Sequence, residues 1–474
     1  MLNKEILEQV LEEALKRGGD FAEIYIEEKQ LSNVFCEDDR IEKVNSGREK
    51  GAGIRVVREG KTAYVYTTDL SAEGLLKAAR VAGQTVISSN KIYHAQSLVA
   101  KQPPFAISCK RLPGDVSFDE KIEQVLAANK KARDLAEEIR QVTVAVGDLH
   151  KKVIIANSDG DLAEDDRTRI RLVVSAVASR DGIIQTGYES AGGVCGWELL
   201  EEISFADMAE KAARLAVNML SARHAPAGRM PVVMSSEAGG TMVHEACGHG
   251  LEADLVQKGL SVYKDKLGEK VAADGVSVID DATLDGKYGT FRFDDEGNYG
   301  QRTVLINNGV LEQYMYDRLT AAKDGKDSTG NGRRESYQDK PIPRMSNTFI
   351  APGHDDPEEI IKSTASGLLV KKMGGGQVNT TNGDFVFDVP EAYIIEDGEV
   401  KYPVRGATLT GNGPKVLNSI DRIGKDLGFG IGVCGKDGQG VPVSDAQPTI
   451  RINELTVGGT ALASGPKKCK IRRI

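Results

Sequence analysis

The chain holds only six histidines among 474 residues, and two of them fall together as His244-Glu245-x-x-x-His249 within TMVHEACGHGLEAD at 241–254. Two imidazoles flanking a carboxylate are the donor types that hold a catalytic zinc ion and supply its general base. In the common HExxH arrangement the histidines are four apart, about 40° around a helix, and share a face. Here they are five apart, about 140° on an ideal helix, so an unbroken α-helix cannot aim both rings at one ion. Gly248 and Gly250 flank His249 and permit a π-bulge or a helix end there. The spacing therefore predicts a distorted helix across 242–252. Glu245, next to the first histidine, is placed to take a proton from a water on the metal and pass it to a leaving amine.

A catalytic zinc needs a third protein ligand and an open position. Residue types alone leave three candidates. Cys247 is three residues after His244 and shares its face on an ideal helix. Glu252 follows eight residues after His244. Cys434 lies in a glycine-rich stretch between Gly432 and Gly435, where a thiolate would be sterically open. The two cysteines stand level on this evidence.

A series of ordered segments then resembles the TldD/PmbA family. They are HEACGHGLEAD (244–254), DDEG (294–297), TGNGRRESY (329–337), GGGQV (374–378), GATLTGNG (406–413), GVCGKDGQ (432–439) and PTIRINELTVGGTA (448–461). They span most of the second half; the first half resembles the family mainly in architecture. The family motif is HExxxH completed by a distant cysteine. The resemblance implies zinc held by His244, His249 and Cys434, with Glu245 as catalytic base, and so favours Cys434 over Cys247. Because the motif is intact, it also implies the catalytic type of subunit rather than the PmbA (TldE) type that lacks it. The expected activity is a zinc metalloprotease acting on peptides or unfolded protein. The expected assembly is a homodimer, or a heterodimer with a PmbA/TldE-like subunit, that encloses the site. A non-catalytic regulatory subunit of the topoisomerase-modulator type is the alternative.

Other polar clusters have plainer readings. Arg333, Arg334, Glu335 and Tyr337 suit either oxyanion stabilisation or a salt-bridged interface loop. Asp294, Asp295 and Glu296 read as a surface turn, and Gly374 to Gly376 as a bulge or tight turn. GFGIGVCG lacks the spacing of a dinucleotide-binding loop. His94, His150, His224 and His354 read as ordinary surface or loop histidines.

The net charge of −9 argues against direct nucleic-acid binding, the basic run Lys467–Arg473 reading as a solvated tail. No apolar run is long enough to cross a membrane, and acidic residues interrupt the N-terminus, so a cytoplasmic protein is expected. Six scattered cysteines indicate no disulfide framework.

These residues require a positioning scaffold. Apolar spacing predicts helices over 6–15, 72–86, 118–139 and 205–220, the third opened by Ser117 and Glu120. Strands are expected at 22–28, 31–36, 52–58 and 62–67, with strand pairs around 141–156 and 168–188 and a turn at 158–160. The small, polar segment 221–229 reads as a linker. Beyond it glycine is dense and helical periodicity is confined to 240–255 and 357–366. The expected fold class is α+β: an N-terminal α+β domain (1–225), then a predominantly β C-terminal domain (226–474) carrying a short zinc-binding helix.

Overall fold

The structure, a computed structural model, describes residues 3–85 and 93–459, so the basic run at 467–473 lies outside the described residues. Helices and sheets are mixed, and strands dominate, in keeping with an α+β class.

The first helix, α1 (Lys4–Leu15), is capped by the Asn3 side chain, which accepts from the Glu5 amide. It buries Leu7, Val10, Leu11, Ala14 and Leu15, the predicted apolar stripe. The strands 22–28 and 31–36 prove to be one, β1 (Phe21–Glu37). It pairs antiparallel along its whole length with β2 (Arg40–Arg58). Asp38 and Asp39 make the turn with φ of 48° and 68°, the left-handed pair that suits a two-residue hairpin. The polar run 40–51 hid the first half of β2 from hydrophobic patterning, because its register is set by β1 and its side chains are mostly exposed. β3 (Lys61–Thr67), α2 (Ala72–Thr85) and a short β4 (Val99–Ala100) follow.

α3 (Phe118–Arg133) begins where expected, with Ser117 Oγ accepting from the Glu120 amide 3.2 Å away, but ends six residues early. Next come β5 (Ile139–Asn157), β6 (Asp161–Arg180), β7 (Ile183–Gly193), α4 (Leu199–Glu202) and α5 (Phe205–Leu220). Residues 158–160 turn between β5 and β6, and Asp181-Gly182, both at positive φ, turn between β6 and β7. The seven strands form one sheet in the order β3-β2-β1-β5-β6-β4, with β7 also on β6. α3 and α5 cover one end of it around Val34, Val144 and Leu172, and α1 and α2 cover the other around Ile24 and Ile54.

Segment 221–229 is not a free linker. It contains β8 (Arg223–His224), parallel to Glu399–Arg405, and the start of β9 (Gly228–Met234). β9 lies within a ten-stranded sheet, between Ser366–Lys372 and Ile450–Gly458, and Gly376–Asn379 ends that sheet. A six-stranded sheet runs from Val310–Leu311 through Arg302–Asn307, Val278–Asp281, Asn347–Ile350 and Gln439–Gln447 to Gly428–Lys436 at its edge. Aliphatic side chains of both sheets, such as Val232, Val278, Leu368, Val443 and Ile452, share one core with Val243 and Leu251 of the histidine segment.

Candidate metal centre

The histidine segment abandons α-helical winding where the sequence predicts it must. One α-turn (Thr241–Val243) leads into a π-helix at His244–Gly248, then a 3₁₀ turn at His249–Leu251. The His249 amide donates to the His244 carbonyl, so the i→i+5 bond closes across the span between the two histidines. Glu252 is extended, and a short helix resumes at Ala253–Gln257. The wider turn returns His249 toward His244; the ring centroids are 5.0 Å apart and the planes nearly perpendicular, at 87°. Neighbours hold the turn tightly. A Cβ on Gly248 would sit 2.2 Å from Met345 Sδ, and one on Gly413 would sit 2.1 Å from the Ala246 carbonyl oxygen.

The strand Gly428–Lys436 brings the third donor. Cys434 Sγ lies 3.4 Å from His249 Nε2. One donor atom each from His244, His249 and Cys434 fall within 4.8 Å of one another, and all three side chains are largely buried. Burial alone would raise the Cys434 thiol, but hydrogen bonds with both imidazoles overcome it and bring the group down to about 5. Burial works against charge on the imidazoles as well. Even so, His244 is raised by Cys434, and His249 by Glu252 together with Cys434.

Carboxylates stand behind both rings. Glu252 Oε2 is 3.0 Å from His249 Nδ1, and Asp445 Oδ2 is 3.8 Å from His244 Nδ1, which has no hydrogen-bond partner among the described residues. Glu252 is fully buried and paired with Lys436 at 3.1 Å. Two imidazoles, a thiol held low and carboxylates at their outer nitrogens form a donor set suited to a zinc-like cation.

Glu245 lies on the wall of a cleft of about 1010 Å³, and His244, His249 and Cys434 line the same cleft. Burial raises the Glu245 carboxyl above its ordinary range, against the pull of the two imidazoles. Gly375, Gly376, Phe429 and Gly430 line the cleft too, so it opens between edge strands of the two C-terminal sheets.

The other candidates go elsewhere. Cys247 is fully buried, donates to the Val243 carbonyl at 3.3 Å, and burial pushes its thiol up to about 12. Glu252 faces the outer nitrogen of His249 and is not in the three-donor cluster. Arg333, Arg334, Glu335 and Tyr337 do not line the cleft. Arg334 is fully buried, 2.6 Å from Glu23 of β1; Arg333 donates to the Met345 and Pro442 carbonyls; Glu335 accepts from the Gly440 amide. This is the interface-loop alternative, joining the N-terminal sheet to the hairpin that bears Cys434.

Asp294, Asp295 and Glu296 are not a surface turn. Their exposures are 0%, 2% and 0%. Asp295 pairs with Arg167 at 2.7 Å and Glu296 with Arg55 at 2.6 Å, while Asp294 accepts from the amides of Glu296, Asn298 and Gly332. A short acidic run reads as solvated when its cationic partners lie far off in sequence. His94 and His354 are exposed; His150 is half-buried on β5, 2.6 Å from Asp166, and His224 lies on β8. The roles of Glu252, Asp445 and Lys436 behind the histidines were not read from sequence. The one local signal was Glu252 three residues after His249.

A mostly β scaffold that gathers two imidazoles and a thiol beside a carboxylate in a cleft defines a metallopeptidase class of site. The comparisons agree: models of the PmbA/TldA metallopeptidase match as domain 1 over 22–85, the central domain over 111–220 and the C-terminal domain over 227–459. The chain belongs to the TldD/PmbA family of metalloproteases. It is 36% identical over 452 residues to the metalloprotease TldD homolog of Haemophilus influenzae, covering 94% of each chain. It is 27% identical over 454 residues to the zinc metalloprotease TldD homolog of Saccharolobus solfataricus, covering 95% of this chain and 99% of that one. Among solved structures, TldE from Thermococcus kodakarensis superposes with a TM-score of 0.77 at 18% identity, covering 96% of this chain and 99% of that one. A Thermotoga maritima protein described as a candidate modulator of a DNA gyrase superposes with a TM-score of 0.79 at 24% identity, covering 96% and 100%. These two likenesses concern the fold.

Proposed function

We propose that this chain is a zinc-dependent metallopeptidase that hydrolyses small or unfolded peptides, with His244, His249 and Cys434 as metal ligands and Glu245 as general base. The observation that carries this reading is the convergence of three donor atoms within 4.8 Å on a cleft wall shared with Glu245. Zinc, when bound, supplies Lewis acidity toward a water and the scissile carbonyl. The protein's own groups do the rest. Glu245 takes the proton of the attacking water and delivers it to the departing amine, and burial holds its carboxyl above the ordinary range. The cleft lies along sheet edges, whose free backbone groups hold an extended peptide through main-chain hydrogen bonds whatever its side chains are.

The working assembly in this reading is a homodimer or a heterodimer with a PmbA/TldE-like subunit, in the cytoplasm, without direct nucleic-acid contact. A related chain named TldE shares the fold. No described helix is long and apolar enough to cross a membrane. The chain divides into an N-terminal domain (1–225) and a C-terminal metallopeptidase domain (226–474).

The test is digestion of casein or an unstructured peptide. Cleavage should stop with chelator and return with zinc. Binding without cleavage in every metal state would instead favour a regulatory subunit, the role suggested by the description of the Thermotoga protein.

A further inference from the structure

One strand reaches both nitrogens of His249, Nε2 directly through Cys434 and Nδ1 by way of Glu252. Gly428–Lys436 carries Cys434 and Lys436 two positions apart, and side chains two apart on a strand share a face. Cys434 Sγ meets His249 Nε2 at 3.4 Å. Lys436 reaches past the ring to Glu252, whose Oε2 is 3.1 Å from Lys436 Nζ and 3.0 Å from His249 Nδ1. Lys436 is itself fixed by Asp254 Oδ1 at 2.6 Å and donates to the Pro343 carbonyl at 3.0 Å.

We propose that Glu252, clamped by Lys436, is a positioning residue that fixes the tautomer and ring orientation of His249. A neutral imidazole has one N–H and one lone pair. A carboxylate fixed at Nδ1 takes the N–H and leaves the Nε2 lone pair facing the Cys434 side. Glu252 is fully buried, so without a cation its charge would be costly, and Lys436 supplies that cation. His244 lacks an equal hold, because its Nδ1 is 3.8 Å from Asp445, beyond hydrogen-bond range. His249 is therefore the member of the pair held at its outer nitrogen. No sequence motif marks this device; it pairs an acid three residues after one histidine with a lysine two residues after a remote cysteine.

The inference rests on the metal reading above, and its test separates the two. Full-length parent, E252Q and K436M are compared by zinc affinity in chelator competition, by Co²⁺ absorption and by melting of the metal-free protein. E252Q keeps the shape but removes the charge. It should weaken zinc by about 10- to 100-fold and shift the Co²⁺ d–d bands, over and above any drop in metal-free melting from the lost Lys436 pair. K436M should weaken zinc in the same direction by a smaller factor. If E252Q does not fold, E252D, one methylene too short to span both partners, should show the same loss of affinity. Variants that bind zinc as tightly as the parent, or lose only metal-free stability, overturn the positioning role. A parent with no thiolate-to-Co²⁺ band overturns the metal reading as well; a parent with the band beside unaltered variants overturns the positioning role alone.

Discussion

Cys434 Sγ stands 3.4 Å from His249 Nε2 although 185 positions separate them. The contact joins an edge strand of one sheet to the 3₁₀ turn that follows the buried π-helix, so it exists only in the folded chain. Under the proposed reading, C434S should abolish stoichiometric zinc binding. C247S should retain it, because that thiol is spent on the Val243 carbonyl. Zinc content after gel filtration in both variants checks this pair of outcomes.

Glu245 makes no contribution to the three-donor cluster. E245Q should therefore keep zinc and lose about 10²- to 10⁴-fold in kcat, the usual worth of a positioned general base. Normal peptide turnover by E245Q would remove Glu245 from the mechanism.

The π-turn is braced by backbone. In G413A the new methyl would sit 2.1 Å from the Ala246 carbonyl oxygen, inside the turn itself. The expected cost is about 1–3 kcal/mol of stability, together with weaker zinc binding as the two histidines move apart. Thermal melting with and without zinc measures both; unchanged melting would show that the turn tolerates displacement.

Stability should also depend on pH through the buried acids at the junction of the sheets. Burial, aided by the charge of Glu296, raises both Asp294 and Asp317 to about 7. A carboxyl raised in the folded state contributes stability below its unfolded value, near 3.8, and that contribution fades as pH rises through about 7. Asp295 behaves oppositely: burial opposes its charge, Arg167 and its neighbours prevail, and it falls to about 2. Its contribution is present above about 3.8 and is lost as pH drops toward 2. Through these groups the metal-free protein should be most stable near pH 4 and weaken as pH rises to about 7. D317N keeps the Oδ1 cap on Thr320 and should flatten the alkaline side by on the order of 1–3 kcal/mol. Urea melts at pH 5 and pH 8 read the difference; equal slopes in parent and variant would contradict it.

Arg334 should matter for folding and not for metal. It is fully buried between Glu23 and the Asp295 carbonyl, 2.6 and 2.8 Å away. R334M removes one of the two cations on buried Glu23, leaving Arg55 at 2.7 Å, and should cost about 3–5 kcal/mol, while the folded fraction binds zinc normally. Loss of zinc from well-folded R334M would place this arginine in the site after all.

The sequence makes the chemistry more legible than the scaffold. The i,i+5 spacing between His244 and His249, with glycine on either side of His249, demands a departure from α-helix, and the π-turn supplies it. Local spacing could not choose between Cys247 and Cys434, because the choice depends on which strand ends at the sheet edge; family resemblance favoured Cys434. Helices with a strong apolar stripe, such as α1 and α5, appear as expected. The outer half of β2 is polar and mostly exposed, held by backbone pairing that leaves no hydrophobic period. The acidic run 294–296 was misread because Arg55 and Arg167, which bury it, come from the other end of the chain. Lys436 and Asp445 were missed for the same reason: Lys436 pairs with Glu252, 184 positions earlier, and Asp445 lies beside His244, 201 positions earlier.

The most direct test of the central claim is zinc-edge X-ray absorption on the full-length chain loaded with one equivalent of zinc, alongside C434S. Convergence of His244, His249 and Cys434 on one ion predicts a single sulfur scatterer at about 2.3 Å with nitrogen or oxygen at about 2.0–2.1 Å, and loss of that sulfur in C434S. A parent spectrum with no sulfur shell, or one that C434S leaves intact, would contradict it.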